Sequence, residues 1–239
     1  MDINGAVVLV TGASSGIGAA TARAASQAGG RVVLAARRED RIRQLADELG
    51  EAVSVRCDVT DAGQVEKAVT TATDAFGRID VLCNVAGQGL HAPLEQIDPD
   101  DFRAVLDLNL VAPLVTMQAV IPIMREQGAG SIVNVSSGIT FSALPGSAAY
   151  GASKAGLNKL SAVARAEFAD ARCRGLDNVS VHHRHRVHRI TARRDRVGVG
   201  AGVQPCAEAA VARAGRRGDP RADQDRRRAG RPRSRTVRR

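Results

Sequence analysis

Thr11-Gly-Ala-Ser-Ser-Gly-Ile-Gly18 is the stretch whose reading decides the fold. The apolar run before it, Ala6-Val-Val-Leu-Val10, reads as a buried parallel strand. The segment after it, Ala19-Ala-Thr-Ala-Arg-Ala-Ala-Ser26, is rich in helix formers. Between a strand and a helix the glycines acquire specific meanings. Gly12 can adopt backbone angles closed to other residues, Gly16 lets a ligand approach the main chain, and Gly18 lets the helix pack close to the strand. The helix start offers free N–H groups and the positive end of its dipole, which suits a pyrophosphate. Thr11, Gly12, Ser14, Ser15, Gly16, Ile17 and Gly18 are therefore candidate nucleotide-binding residues. The spacing is Gly-x3-Gly-x-Gly, unlike the common G-x-G-x-x-G, and the Gly-Lys-Ser/Thr of a triphosphate loop is missing. Read alone, the stretch also admits a plain strand-to-helix turn.

Outward from this turn the chain alternates. Arg31 to Ala35 is a second strand, residues 40–49 a charged helix ended by Gly50, and Ala52 to Cys57 a third strand with Asp58 beyond it. Helical spacing runs over 61–76, a fourth strand over Val81 to Asn84, and the turn Val85-Ala-Gly87 follows. A long helix is predicted over 102–127, bent near its prolines, then a fifth strand over 131–135. A helix over 149–171 and a sixth strand beginning at Asn178 complete the pattern. Such alternation predicts an α/β fold, a Rossmann-type doubly wound parallel sheet with helices on both faces. Ligands of such sheets bind beyond the carboxyl ends of the strands.

The length of 239 residues suits one α/β domain, and 44% hydrophobic content supplies a core built from aliphatic side chains, since aromatics are 2%. Asp2 and Asn4 stand where a signal peptide would be basic. The apolar region from Leu110 to Met124 reads as too short and too interrupted, by Pro113, Gln118 and Pro122, to span a membrane. Cys57, Cys83, Cys173 and Cys206 show no metal-ligand spacing and read as reduced thiols of a cytoplasmic protein.

The chemical cluster is Ser137, Tyr150 and Lys154. Tyr150-Gly-Ala-Ser-Lys154 sets a phenol and an ammonium on one helix face. A free tyrosine, with a pKa near 10, is a poor base at neutral pH, and an adjacent ammonium favours its phenolate. Ser137 ends the fifth strand, where its hydroxyl can meet a substrate oxygen. Taken alone, a Tyr-x3-Lys spacing is more often a packed phenol beside a solvated lysine.

Residues 5–181 resemble the short-chain dehydrogenase/reductase family. The resemblance rests on Thr11, Gly12, Gly16 and Gly18, on Asp58-Val59, on the Asn-x-Ala-Gly turn Asn84 to Gly87, and on Asn109, Ser137, Tyr150 and Lys154. It includes separations of 28 residues from Asn109 to Ser137 and 13 from Ser137 to Tyr150. Val85 departs from the second asparagine common in the family. The resemblance implies an oxidoreductase acting on a small carbonyl or alcohol, as a homodimer or homotetramer without a membrane partner. It implies Tyr150 as the proton donor or acceptor, Lys154 lowering its pKa and holding the nicotinamide ribose, and Ser137 polarising the substrate oxygen. Asn109 would support a relay water, Asp58 would bond the adenine, and Asn84 would hold backbone near the ribose, with Val59, Ala86 and Gly87 lining the cofactor.

An NAD-selective site needs a carboxylate about 20 residues past the glycines. Here Ala36 is followed by Arg37 and Arg38, which suit a 2′-phosphate. NADP(H) is therefore preferred, with NAD(H) possible.

The resemblance stops after Val181, so a two-part division, 1–181 and 182–239, is expected, without the family's last strand and helix. From His182 onward 18 arginines face five acids, a net +13 that leaves −4 of the total +9 for the rest. Three readings compete for this run: a basic arm for nucleic acid or anionic lipid, a histidine metal tract, and an out-of-frame translation. The third is preferred. His-His-Arg-His encoded as CAC-CAC-CGT-CAT reads Thr-Thr-Val one base later, a run fit to continue the sixth strand. Reading the gene in three frames decides it. The alternative to an active enzyme is an impaired nucleotide-binding protein whose basic tail binds nucleic acid.

Overall fold

The computed structural model describes residues 2–170 and 176–181. Six parallel strands form one sheet: β1 (Val7–Thr11), β2 (Arg31–Ala36), β3 (Ala52–Arg56), β4 (Val81–Asn84), β5 (Gly130–Val135) and β6 (Leu176–Val181). Their order is β3-β2-β1-β4-β5-β6, so the chain steps outward from β1 on one side and then crosses to β4 on the other. The crevice between β1 and β4 is the switch point at which such sheets bind ligands. The expected Rossmann-type architecture is present.

Strand alternation sorts the core into two layers. Val7 and Leu9 of β1, with Val33 and Ala35 of β2, face α3 (Ala62–Phe76) and α5 (Ala112–Glu126). Val8, Val10, Val32 and Leu34 face α1 (Gly16–Gln27) and α2 (Glu39–Leu49). Period-two alternation with both faces apolar is why these strands read as continuous hydrophobic runs.

The helix after β4 corrects two expectations. It starts at Pro99, where the Asp98 side chain caps the first turn, and runs as α4 (Pro99–Leu106) through a π-helical turn (Asp107–Val111) into α5. The prolines do not break it. Pro113 lies in the first turn of α5 and Pro122 is accommodated inside it. The result is a continuous 28-residue run, Pro99–Glu126, long and apolar enough to cross a membrane by length and composition. Its buried side, including Thr116, Met117, Val120 and Met124, packs toward the sheet. The distortion expected near the prolines is concentrated in the π turn, because Pro113 has no N–H to give the Asn109 carbonyl four residues earlier.

α6 (Ala148–Asp170) lies beside β6 and bonds β5 through Lys154 and Ser161. A buried polar chain joins it to α5 through the sheet. Thr116 donates to Asn84 Oδ1 at 2.8 Å, and Asn84 Nδ2 to Asn134 Oδ1 at 2.9 Å. Asn134 Nδ2 donates to Ser161 Oγ at 2.8 Å, which in turn donates to the Leu157 carbonyl at 2.7 Å. Asn84 and Asn134 are register partners on adjacent strands. The sequence expectations for a last strand and helix, for the run 182–239, for its frame, and for Cys173 and Cys206 lie outside the described residues.

Candidate active site

The carboxyl ends of β1 to β5 bring together Gly12, Arg37, Asp58, Asn84 and Ser137 along one edge. Thr11 is buried, and its hydroxyl donates to the Cys83 carbonyl at 3.4 Å while accepting the N–H groups of Val85 and Ala86 at 3.1 and 3.2 Å. Thr11 thus ties β1 to the turn after β4. Gly12, at φ +67°, lies against that turn: a Cβ there would stand 2.8 Å from the Ala86 main chain. A Cβ on Gly18 would collide with the Gly12 carbonyl, so the start of α1 can approach the turn only as glycine.

Ser15 is the N-cap residue of α1, yet its side chain does not cap the helix. Instead Ser15 Oγ accepts Arg38 Nη2 at 2.6 Å, and Ser14 Oγ accepts Arg38 Nη2 and Nε at 2.9 and 3.1 Å. The first N–H groups of α1 keep no side-chain cap, the condition in which a helix start receives an anion. Arg37 turns the other way, with Nη1 3.9 Å from the Asp58 carboxylate. Asp58 Oδ1 also accepts the Thr60 N–H and hydroxyl. Ile17 is half-buried, and Val59 is buried in the core beside α3.

The chemical groups lie on the other side of the switch point. Lys154 is 5% exposed and donates to the Val135 carbonyl at 2.9 Å. Burial lowers its pKa from 10.5 to about 8. Ser137 is buried at the end of β5, where its Oγ accepts the Ile139 N–H at 3.3 Å and keeps its own proton to give. Asn109, in the π turn, is fully buried. Its Oδ1 accepts the Gln88 N–H at 2.9 Å, and its Nδ2 donates to the Gln88 carbonyl at 2.8 Å and to Ser153 Oγ at 3.0 Å. Gly87 closes the group: a Cβ there would be 3.0 Å from Asn109 Oδ1 and 3.5 Å from Lys154 Nζ. Tyr150 is half-buried on the first turns of α6.

Two of the residues singled out from sequence use their side chains inside the sheet. The side chains of Thr11 and Asn84 are buried and bonded within the sheet, and it is Thr11 that holds the backbone after β4. Sequence reading missed Gln88, Ser153, Asn134 and Ser161, whose long-range contacts reach partners 17 to 50 residues away. A cavity of about 910 Å3 lies off this site. It is walled by Leu94, Ile139, Leu144 and the α6 residues Ala148, Gly151, Ala152 and Ala155. At roughly 100° per residue these α6 positions lie well round the helix from Tyr150, so the cavity belongs to its outer face.

Residues 6–177 match the family described as short chain dehydrogenase. An uncharacterized oxidoreductase of Staphylococcus saprophyticus is 39% identical over 165 residues, 68% of this chain and 67% of the relative. Another, of Listeria monocytogenes, is 35% identical over 173 residues, 71% of this chain and 70% of the relative. Among solved structures, a short-chain dehydrogenase from Streptomyces avermitilis aligns with a TM-score of 0.69 and 34% identity, over 75% of this chain and 64% of that one. A 3-ketoacyl-(acyl-carrier-protein) reductase from Brucella melitensis, complexed with NADH, aligns with a TM-score of 0.72 and 26% identity, over 76% of each. This chain spans about two thirds of the length of its relatives.

The Lys154 environment has a thermodynamic signature. Above about pH 8 the folded chain releases the Lys154 proton, while the unfolded chain keeps it to 10.5. The unfolded state binds more protons across that window, so stability rises with pH there, by on the order of 3 kcal/mol. Guanidinium unfolding of the parent, relative to Lys154→Met, should show this rise between those limits. A difference that stays flat with pH contradicts it.

Proposed function

The chain belongs to the short-chain dehydrogenase family, and on that premise we propose that it transfers hydride between NADP(H) and a small carbonyl or alcohol, with Tyr150 handling the proton. The observation that carries this reading is Lys154, buried on the Val135 carbonyl one helical turn after Tyr150 and beside Gly87 and Asn109. The nicotinamide, when bound, gives or takes the hydride. Ser137 turns its free hydroxyl proton to the substrate oxygen. Tyr150 gives its phenolic proton to the same oxygen in reduction and recovers it in oxidation. Lys154, charged at neutral pH and shielded from water, favours the phenolate so formed. The Asn109 carbonyl, without an N–H from Pro113, is free to hold a water in the proton path.

For the cofactor, the uncapped start of α1 fits a pyrophosphate, and Arg38 with Ser14 and Ser15 forms a donor cluster fit for a 2′-phosphate. The sequence placed this preference on Arg37 as much as on Arg38; the contacts to Ser14 and Ser15 favour Arg38. Arg37 and Asp58 then border the adenine end. The buried thiols of Cys57 and Cys83 accord with a reducing, cytoplasmic setting.

Self-association rests on the outer faces of α5 and α6. Only 39% of the apolar window in Pro99–Glu126 is buried. Val111, Leu114 and Val163 stand 36–45% exposed. The small residues bordering the α6 cavity leave room for side chains of a second copy, which makes a homodimer the reading of this face.

Three outcomes are expected. Tyr150→Phe should remove nearly all carbonyl reduction while NADPH binding persists; near-parental turnover would assign the proton to another group. A parent that binds NADPH without any turnover would leave the nucleotide-binding alternative in its place. NADPH should bind the parent more tightly than NADH, and Arg38→Ala should weaken NADPH roughly tenfold with NADH changed less than about twofold. Equal or tighter NADH binding by the parent sinks the assignment. Sedimentation velocity should find a dimer that Leu114→Glu/Val163→Glu converts to monomer; a monomeric parent rules the interface out.

A further inference from the structure

Ser153 has no part in the chemistry above, yet it is completely buried between two residues that do. Its hydroxyl donates to the Tyr150 carbonyl at 2.8 Å and accepts Asn109 Nδ2 at 3.0 Å. A serine hydroxyl has one proton and two lone pairs, so the donor goes to α6 and a lone pair is left for the π turn. Bonding to a carbonyl three residues back would alone be a local feature of a helical serine. The second bond, across 44 residues of chain, makes it a bridge.

Asn109 has two amide protons, and both are engaged, one by the Gln88 carbonyl and one by Ser153. That leaves its Oδ1 for the Gln88 N–H. The main chain of Gln88 is thus gripped on both of its polar groups by a side chain that Ser153 holds against α6. Gly87, the neighbour of Gln88, borders Asn109 Oδ1 and Lys154 Nζ, so any shift of this strand of backbone changes the space beside the lysine.

We propose that Ser153 is a positioning residue: its hydroxyl couples the Gln88 main chain, through Asn109, to the start of α6. Tyr150 and Lys154 thereby meet the turn after β4 in a single geometry. The kinetic consequence rests on the dehydrogenase reading; the structural coupling does not.

The full chain with Ser153→Ala tests both parts. Hydrogen exchange at the Gln88 amide should become about tenfold faster, since the amide's acceptor loses its anchor. NADPH affinity should stay within about twofold, and kcat should fall about tenfold with KM held, as for an interaction that matters in the transition state. Ser153→Cys keeps the shape of the side chain with a somewhat larger atom that hydrogen-bonds poorly, and should behave as the alanine variant does. Because the two residues act as a unit, Ser153→Ala added to Asn109→Ala should cost nothing more than Asn109→Ala alone. Parental exchange at Gln88 in the alanine variant, parental behaviour of the cysteine variant, or additive losses in the double variant each overturn the proposal. If the parent reduces no carbonyl, the dehydrogenase reading fails by itself, and the Gln88 exchange still decides the coupling.

Discussion

The hydroxyl of Thr11 sets the distance between the two halves of the nucleotide edge. One oxygen meets the Cys83 carbonyl and the N–H groups of Val85 and Ala86, so the end of β1 and the turn after β4 cannot separate without breaking three buried or half-buried bonds. Gly12 makes that approach sterically possible, and Gly18 repeats the condition one layer away, where α1 comes down on the Gly12 carbonyl. Removing a buried partner of this kind costs more than the bond contributes, because the remaining polar groups stay desolvated. The crevice at the switch point is consequently narrow by construction, and the other site elements are referred to it.

On the opposite side the arrangement is electrostatic. Lys154 is held in a place where its charge is expensive, satisfied by one carbonyl and surrounded by protein. A charge so placed acts on its neighbours with less screening than one in water. The π turn belongs to the same arrangement: it holds Asn109 fully buried at the point where Pro113 offers its carbonyl no N–H. Helix irregularity and full burial coincide at one residue.

What was legible in the sequence follows from distance along the chain. The glycine turn and the Tyr150–Lys154 spacing are local patterns, and the elements that carry them, the β1–α1 turn and α6, lie where the sequence predicts. The fold class was legible because the apolar runs alternate with helical ones over most of the chain. Ser153 and Asn134 were not, since their partners Asn109 and Ser161 come from other elements and only the packed sheet brings them within reach. The roles of Arg37 and Arg38 depended on where β2 ends. Successive side chains leave a strand on opposite sides, so stopping at Ala36 decides which guanidinium reaches Ser14 and which meets Asp58. The prolines in the long apolar run misled for a related reason. A proline near the start of a helix removes little, and a preceding π turn absorbs the rest.

The sulfur of Cys83 adds a property of a different kind. It lies in the middle strand pair, level with Val10 and Val133, and burial raises its pKa to about 12. At neutral pH the thiol is kept protonated, away from the thiolate form that oxidants and alkylating reagents attack. Cys57, raised to about 11 by burial and by the charges of Asp58 and Asp61, is protected in the same manner. Chemical modification of Cys83 therefore requires the central strands to part.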